Sequence, residues 1–335
     1  MNLRPFEPQD AEAWDALVDA APGATFLHAR RFLAYHGARF RDASLVFENR
    51  ERIVAVIPAA VDPGDPSHVV SHPGATYGGL VAPNFSAGDT IAAFDALVGH
   101  YRGAGFSRLT YKTVPLHLTA LPSQADRYAL WRLGAEVTRR DLWSVVWTDP
   151  RDDHVGSPGD GRARRQRERH ARRSRVAERS GLEIFEDASD EAYHRFHMLL
   201  SANLQERHGV KPVHTVSEMI DLRDRLGDSV RLAFVAPEGR RHDPVAGVWT
   251  FRFARVAWHT QYIAANAEGR EKHATYVILR HLLDEARDQG VAALSYGAVT
   301  EQKGKVLNPG LERFKSDFGG GLVIHDFYTL PLGPR

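Results

Sequence analysis

Apolar and polar positions along the chain alternate with two periods, and the changes between them mark the elements. Residues 9–20 and 28–36 carry apolar side chains at helical spacing. DASLVFE (42–48) and RIVAVIPAAV (52–61) read as strands joined by a short polar turn, and HVVSHP (68–73) as a third. An amphipathic helix follows at 88–105 and ends on glycine, as helices often do. Then come a strand at 107–115, a helix at 122–134 and a long strand at 135–149.

The second half repeats this order. Helices are expected at 190–207 and 215–226, strands at 229–237, 244–253 and 255–265, and a helix at 269–289. A strand at 293–299, a short helix at 309–319 and a last strand at 322–330 complete it. Each half thus gives strand–strand–strand–helix–strand–helix–strand, which points to a duplicated α/β unit. The expected division is 1–149 and 150–319.

Composition narrows the chemistry. The 335 residues include no cysteine, so disulfides, thiolate zinc sites, iron–sulfur clusters and a cysteine nucleophile are excluded. Formal charge is +1, so no overall field calls for a nucleic acid or a membrane. The charge is uneven, however. Between Arg162 and Arg179 nine arginines face only Glu168 and Glu178, behind a stretch rich in Gly, Pro and Asp. This reads as a linker and a basic helix that either covers a domain junction or docks phosphates, tRNA among them. The polar start MNLRPFEPQD is no signal peptide, and no apolar run reaches the ~18 residues of a membrane span. A cytoplasmic protein without a membrane span is expected.

No P-loop, nucleophile elbow or HExxH helix is present, and no glycine run has dinucleotide-binding spacing. The seventeen histidines are scattered, so no metal is expected. What stands out instead are polar clusters at turns and strand ends. Glu206 to His214 (ERHGVKPVH) packs four cationic side chains around a glycine turn; Arg207 and Lys211 suit a phosphate or carboxylate, and His208 or His214 a base. A plain helix C-cap at Gly209 is the alternative. Tyr77-Gly78-Gly79 is a turn that could present amides, with Tyr77 as a hydrogen-bonding wall. On the 257–265 strand, alternation places His259, Gln261 and Ile263 on one face and Trp258, Thr260 and Tyr262 on the other. Tyr296 ends a strand, and Glu301, Lys303 and Lys305 lie in the loop beyond, where ligands of α/β sheets collect. Glu301 is the leading candidate for a carboxylate base, and Lys305 and Lys315 for a phosphate.

SHPGATYGGLV (71–81), ERHGVKPVHT (206–215), AWHTQYIAA (257–265), GREKHATYVILRHLL (269–283) and LNPGLERFKSDFG (307–319) resemble the FemAB-like branch of the GNAT acyltransferase superfamily. That branch takes in the Fem peptidyltransferases of peptidoglycan synthesis and the BioF2-like acetyltransferase domain. The resemblance implies an α/β (α+β) fold of two tandem GNAT-like domains, with mixed central sheets flanked by helices, a cleft between them, and a last strand, 320–332, that would return to the first domain. It implies an N-acyltransferase or aminoacyltransferase that acts on a small-molecule or peptide amine. No cofactor would be tightly bound; the donor would be aminoacyl-tRNA or acyl-CoA. Arg287 to Ala292 (RDQGVA) has the letters of a GNAT pyrophosphate loop, but it closes a helix, where the dipole repels an anion. The aminoacyl donor is therefore the favoured reading. Acyl-CoA chemistry and a non-catalytic module for a phosphorylated or glycan precursor are the alternatives.

Overall fold

The computed structural model describes residues 1–148 and 181–333. The basic segment Arg162 to Arg179 lies outside the described residues. The fold is mixed α/β. It divides into one unit of Met1–Leu142, Thr300–Val306 and Val323–Arg335, and another of Trp143–Val299 and Leu307–Leu322.

In the first unit, Asn2–Pro5, Leu45–Asn49 and Arg52–Ile57 form a small antiparallel sheet. The expected 52–61 strand is thus broken; Ala60–Asp62 resumes beyond Pro58 and pairs with Asp65–Val70. Asp65–Val70 runs parallel to Arg108–Lys112, and the helix Ala87–Gly103 connects them. Ser86 and Asp89 cap that helix reciprocally, each side chain bonding the other's backbone N–H. The last strand, Gly321–Pro331, pairs antiparallel with Arg108–Lys112. Phe94, Leu97 and Tyr101 of the helix pack with Leu109, Tyr111, Leu130 and Leu330 into one core.

The second unit orders its strands Leu182–Glu186, Val230–Pro237, Ala246–Phe253, Ala257–Ala265, Ala293–Ala298 and then the end of Glu136–Trp147. Only Ala257–Ala265 and Ala293–Ala298 are parallel neighbours, again bridged by a helix, Ala274–Asp288. This is the same strand–helix–strand core as in the first unit. Ile278, Leu279, Leu282 and Leu283 pack on one face of the sheet, against Val248, Trp258 and Tyr296. Helix Asp190–His208 covers the other face, where Phe196 meets Phe234 edge-on. With both faces covered, Val230–Pro237 and Ala246–Phe253 read as near-continuous apolar runs. Among the described residues four strands escape the sequence pattern: Asn2–Pro5, Leu182–Glu186, and the short pair Thr300–Glu301 and Val306–Leu307, where a loop is expected. The helix expected at 269–289 is two, Ala267–Glu271 and Ala274–Asp288, broken by His273 in the left-handed conformation. Among the described residues no helix is long and apolar enough to cross a membrane, and no group of three His, Asp or Glu could hold a metal ion.

Candidate functional site

The parallel strands of the second unit stay paired for only three positions. Ala257, Trp258 and His259 face Ala293, Leu294 and Ser295; beyond them each strand carries an extra residue. Against Ala246–Phe253, Trp249 pairs with Tyr262 and Thr250 with Thr260, so Gln261 is bulged. Against Glu136–Trp147, Ser295 pairs with Val145 and Gly297 with Ser144, so Tyr296 is bulged. The strands part just past His259 and Ser295, which leaves their backbone edges without each other's hydrogen bonds.

The bulge at Gln261 corrects the alternation expected from sequence. Ile263 packs with Trp258 in the core beneath Ala274–Asp288. Tyr262 instead joins the face of His259, where its ring stacks on Trp249 and its hydroxyl lies 2.8 Å from His214 Nδ1. Burial raises the pKa of Tyr262, so the phenol keeps its proton.

Four groups surround the point of parting. The His259 ring is stacked at 5.0 Å by Trp143, and its Nδ1 is 3.1 Å from Ser295 Oγ. The Gly297 N–H donates to the same Oγ at 3.3 Å. Gly297 has φ +74°, and a Cβ there would meet His259 Cε1 at 3.3 Å and Lys315 Nζ at 4.0 Å. Lys315 comes from the helix Pro309–Ser316, which Asn308 caps by accepting from Leu311 N–H. Its buried ammonium donates to Ala298 O at 2.7 Å, and burial lowers its pKa to about 7. The site thus places an imidazole, a hydroxyl and an amine that is half neutral near pH 7 around one strand end. That set can accept a proton and donate hydrogen bonds to developing negative charge.

The other sequence candidates have these surroundings. Tyr296 points into the core, with its hydroxyl 3.5 Å from Leu279 O. Gly209 takes a left-handed cap on Asp190–His208, and Arg207 and Lys211 are exposed beside it. Of His208 only the backbone is described. Glu301 and Lys305 are exposed on a hairpin whose turn runs through Gln302 and Lys303, both at positive φ. Tyr77 is buried in the first unit, bonded to Thr25 Oγ1 at 3.0 Å. Gly78 is pressed so closely on Ser71 that a Cβ would lie 2.2 Å from its carbonyl oxygen.

Sequence reasoning did not single out Trp143, Ser295 or Gly297. Only tertiary pairing brings them to His259. The segment after the 255–265 strand, NAEGREKHA, has Gly269 and Arg270 but lacks the spacing of a pyrophosphate loop; it leads into the positive end of the 15-residue helix Ala274–Asp288. Arg270 there is held by Glu206, at 2.8 and 3.0 Å. Arg287 to Ala292 does close a helix, with Gly290 at φ +66°.

Residues 164–316, which take in most of the second unit, match the family described as acetyltransferase (GNAT) domain. The whole fold is similar to three solved structures. FemX aligns with TM-score 0.67 at 12% identity, over 99% of this chain and 97% of that one. L-PGS from Bacillus licheniformis aligns with TM-score 0.60 at 12% identity, over 99% and 94%. A tandem GNAT protein from the clavulanic acid biosynthesis pathway, without AcCoA, aligns with TM-score 0.53 at 14% identity, over 100% and 99%. At such identities the likeness is one of fold. A search of curated proteins returned no match. Residues 164–316 thus match a GNAT acetyltransferase domain, and the full chain shares its fold with FemX and with the tandem GNAT protein.

Proposed function

We propose that the GNAT domain of this chain transfers an aminoacyl group from aminoacyl-tRNA to the amine of a small molecule or peptide. The observation that carries acyl transfer is the parting of the strands at His259 and Ser295, beside Lys315. An amine must be neutral to attack a carbonyl, and a neutral Lys315 is a fitting proton acceptor. The amine nitrogen bonds to the carbonyl carbon and sheds its proton, and the ester oxygen leaves with a proton in return. Backbone N–H groups at the parted edges and the Ser295 hydroxyl are the candidate donors to the oxyanion. Exposed Arg207 and Lys211 suit the donor's phosphates, and Glu301 and His208 are further candidates for the base.

One observation favours acyl-CoA as the donor instead. The helix Ala274–Asp288 begins behind left-handed His273, one short helix after the parted strand, and the positive end of its dipole suits a pyrophosphate. Donor screening decides between the two. Purified protein is offered labelled aminoacyl-tRNAs and an acyl-CoA panel, with a mixed amine pool as acceptor. Consumption of aminoacyl-tRNA, lost in His259→Ala and Lys315→Met, supports the proposal. Saturable CoA binding with no consumption of aminoacyl-tRNA selects the second reading. If neither donor is consumed, acyl transfer is wrong.

A further inference from the structure

A cavity of about 270 Å³ lies within the first unit. It is smaller than the ~300–1,000 Å³ of drug-sized sites. Leu80, Val81, Pro83 and Phe85 contribute its apolar wall, and Asp126 and Arg127, adjacent at the start of the helix Ala125–Arg132, both line it.

Asp126 is fixed in place. Its Oδ2 accepts from the buried Tyr111 hydroxyl at 3.1 Å and its Oδ1 from Arg127 N–H at 2.7 Å. The Tyr111 oxygen accepts in turn from Leu80 N–H at 2.8 Å, so its own proton is committed to the carboxylate. Gly79, at φ +105°, makes room for that oxygen: a Cβ there would lie 2.8 Å from it. Burial raises the pKa of Asp126. The Arg127 side chain is half-buried, and its hydrogen bond is a long one, Nη2 to Thr113 Oγ1 at 3.4 Å. Many arginines of this chain, by contrast, sit against carboxylates at close range, Arg4 on Asp10 and Arg140 on Asp326 among them. A carboxylate and a guanidinium on neighbouring residues therefore face one small cavity with an aliphatic and aromatic wall.

We propose that this cavity binds a free α-amino acid with an apolar side chain. The ammonium would meet Asp126, the carboxylate Arg127, and the side chain the Leu80–Phe85 wall. A simple amine would leave Arg127 facing no anion, and a simple carboxylic acid would leave Asp126 facing no cation. Unpaired charges in a desolvated site are what such pockets reject. A phosphorylated ligand would bring its charge against Asp126. The proposal rests on the first unit alone and is independent of the acyl-transfer reading.

Calorimetry on the full chain tests it with L-leucine, isoamylamine, which lacks the carboxylate, and 4-methylpentanoate, which lacks the ammonium. L-Valine and L-phenylalanine are run alongside. Saturable binding of at least one amino acid is expected, with each leucine analogue at least about tenfold weaker than leucine. Arg127→Gln should bring leucine down to the level of isoamylamine, and Asp126→Asn to that of 4-methylpentanoate. No saturable binding of any of the three amino acids overturns the proposal, and so does an analogue that binds as tightly as leucine. The comparison on the unsubstituted protein stands even if a variant fails to fold. Leucine affinity unchanged in a folded Arg127→Gln variant would also overturn it.

Discussion

Lys112 and His36 converge on one four-residue stretch of the first unit. The Lys112 ammonium donates to the carbonyls of His72, Pro73 and Ala75 at 2.9, 3.3 and 2.7 Å, and His36 Nε2 lies 3.1 Å from the carbonyl of Gly74. Burial lowers the pKa of Lys112 to about 7, with Arg139 adding to the effect. The unfolded chain, with an ordinary lysine near 10.5, then binds the extra proton between pH 7 and 10.5. Stability should rise with pH across that window, at up to about 1.4 kcal/mol per pH unit for each such lysine. Lys315 shifts in the same direction. Urea unfolding from pH 7 to 10 should show this slope. Lys112→Met should reduce it, and Lys112→Met with Lys315→Met should flatten it; an unchanged slope in the double variant would refute the account.

On the acid side the sign comes from three histidines. His72, His117 and His325 are buried in the first unit, and desolvation lowers each from 6.5 to about 3. The unfolded chain takes up these protons first, so stability is lost as pH falls from 6.5 towards 3. Hydrogen exchange at pH 4–5 should show amides of the first unit, such as those of Val69 and Leu109, losing protection before Leu232 and Val248 of the second. Simultaneous loss would count against a local cause.

Gly78 tests whether the Tyr77-Gly78 turn is built for packing. A methyl group there would meet backbone, Ser71 O at 2.2 Å and Ser71 C at 3.0 Å, and backbone gives way less readily than a side chain tip. Gly78→Ala should cost about 1–3 kcal/mol in urea unfolding. Tyr77→Phe, which loses the bond to Thr25 Oγ1, should cost less, about 0.5–1.5 kcal/mol. A fully stable Gly78→Ala protein would contradict the observed approach.

How far the sequence could be read follows the physics of each signal. Cap and period are local, so the start of Val216–Leu226 at Thr215 and Glu218, and the stop of Asp190–His208 at Gly209, were legible. The repeated strand–helix–strand order was legible for the same reason. A bulge is not local: Gln261 looks like any alternating residue until its partner strand is known, and that one residue moved Tyr262 to the face of His259. Lys112 was invisible as a buried group, because lysine is almost always exposed and the carbonyls that hold it lie some forty positions earlier. His259 and Lys315 were picked out by residue type. Trp143, Ser295 and Gly297 became visible only through strand pairing.

Gly297 ties the backbone to the chemistry. Its φ of +74° is costly for any residue with a Cβ, by about 1–2 kcal/mol, and the added methyl would press on His259 at 3.3 Å. Gly297→Ala should therefore lower acyl transfer by at least about tenfold while the melting point falls by only a few degrees. Unaltered transfer in a folded Gly297→Ala protein would show that the exact placement of His259 does not matter.

The lowered pKa of Lys315 also sets the pH dependence of turnover. If neutral Lys315 accepts the amine's proton, the rate should climb through pH 7 and level off above it, since the protonated form cannot serve. Lys315→Met should lower the rate and remove that limb. Glu301→Gln separates the two candidate bases. Glu301 is exposed on its hairpin, and this variant should keep the limb whether or not the rate changes. Single-turnover rates from pH 5.5 to 9 distinguish the cases: a limb that survives Lys315→Met but vanishes in Glu301→Gln would move the base from the lysine to the glutamate.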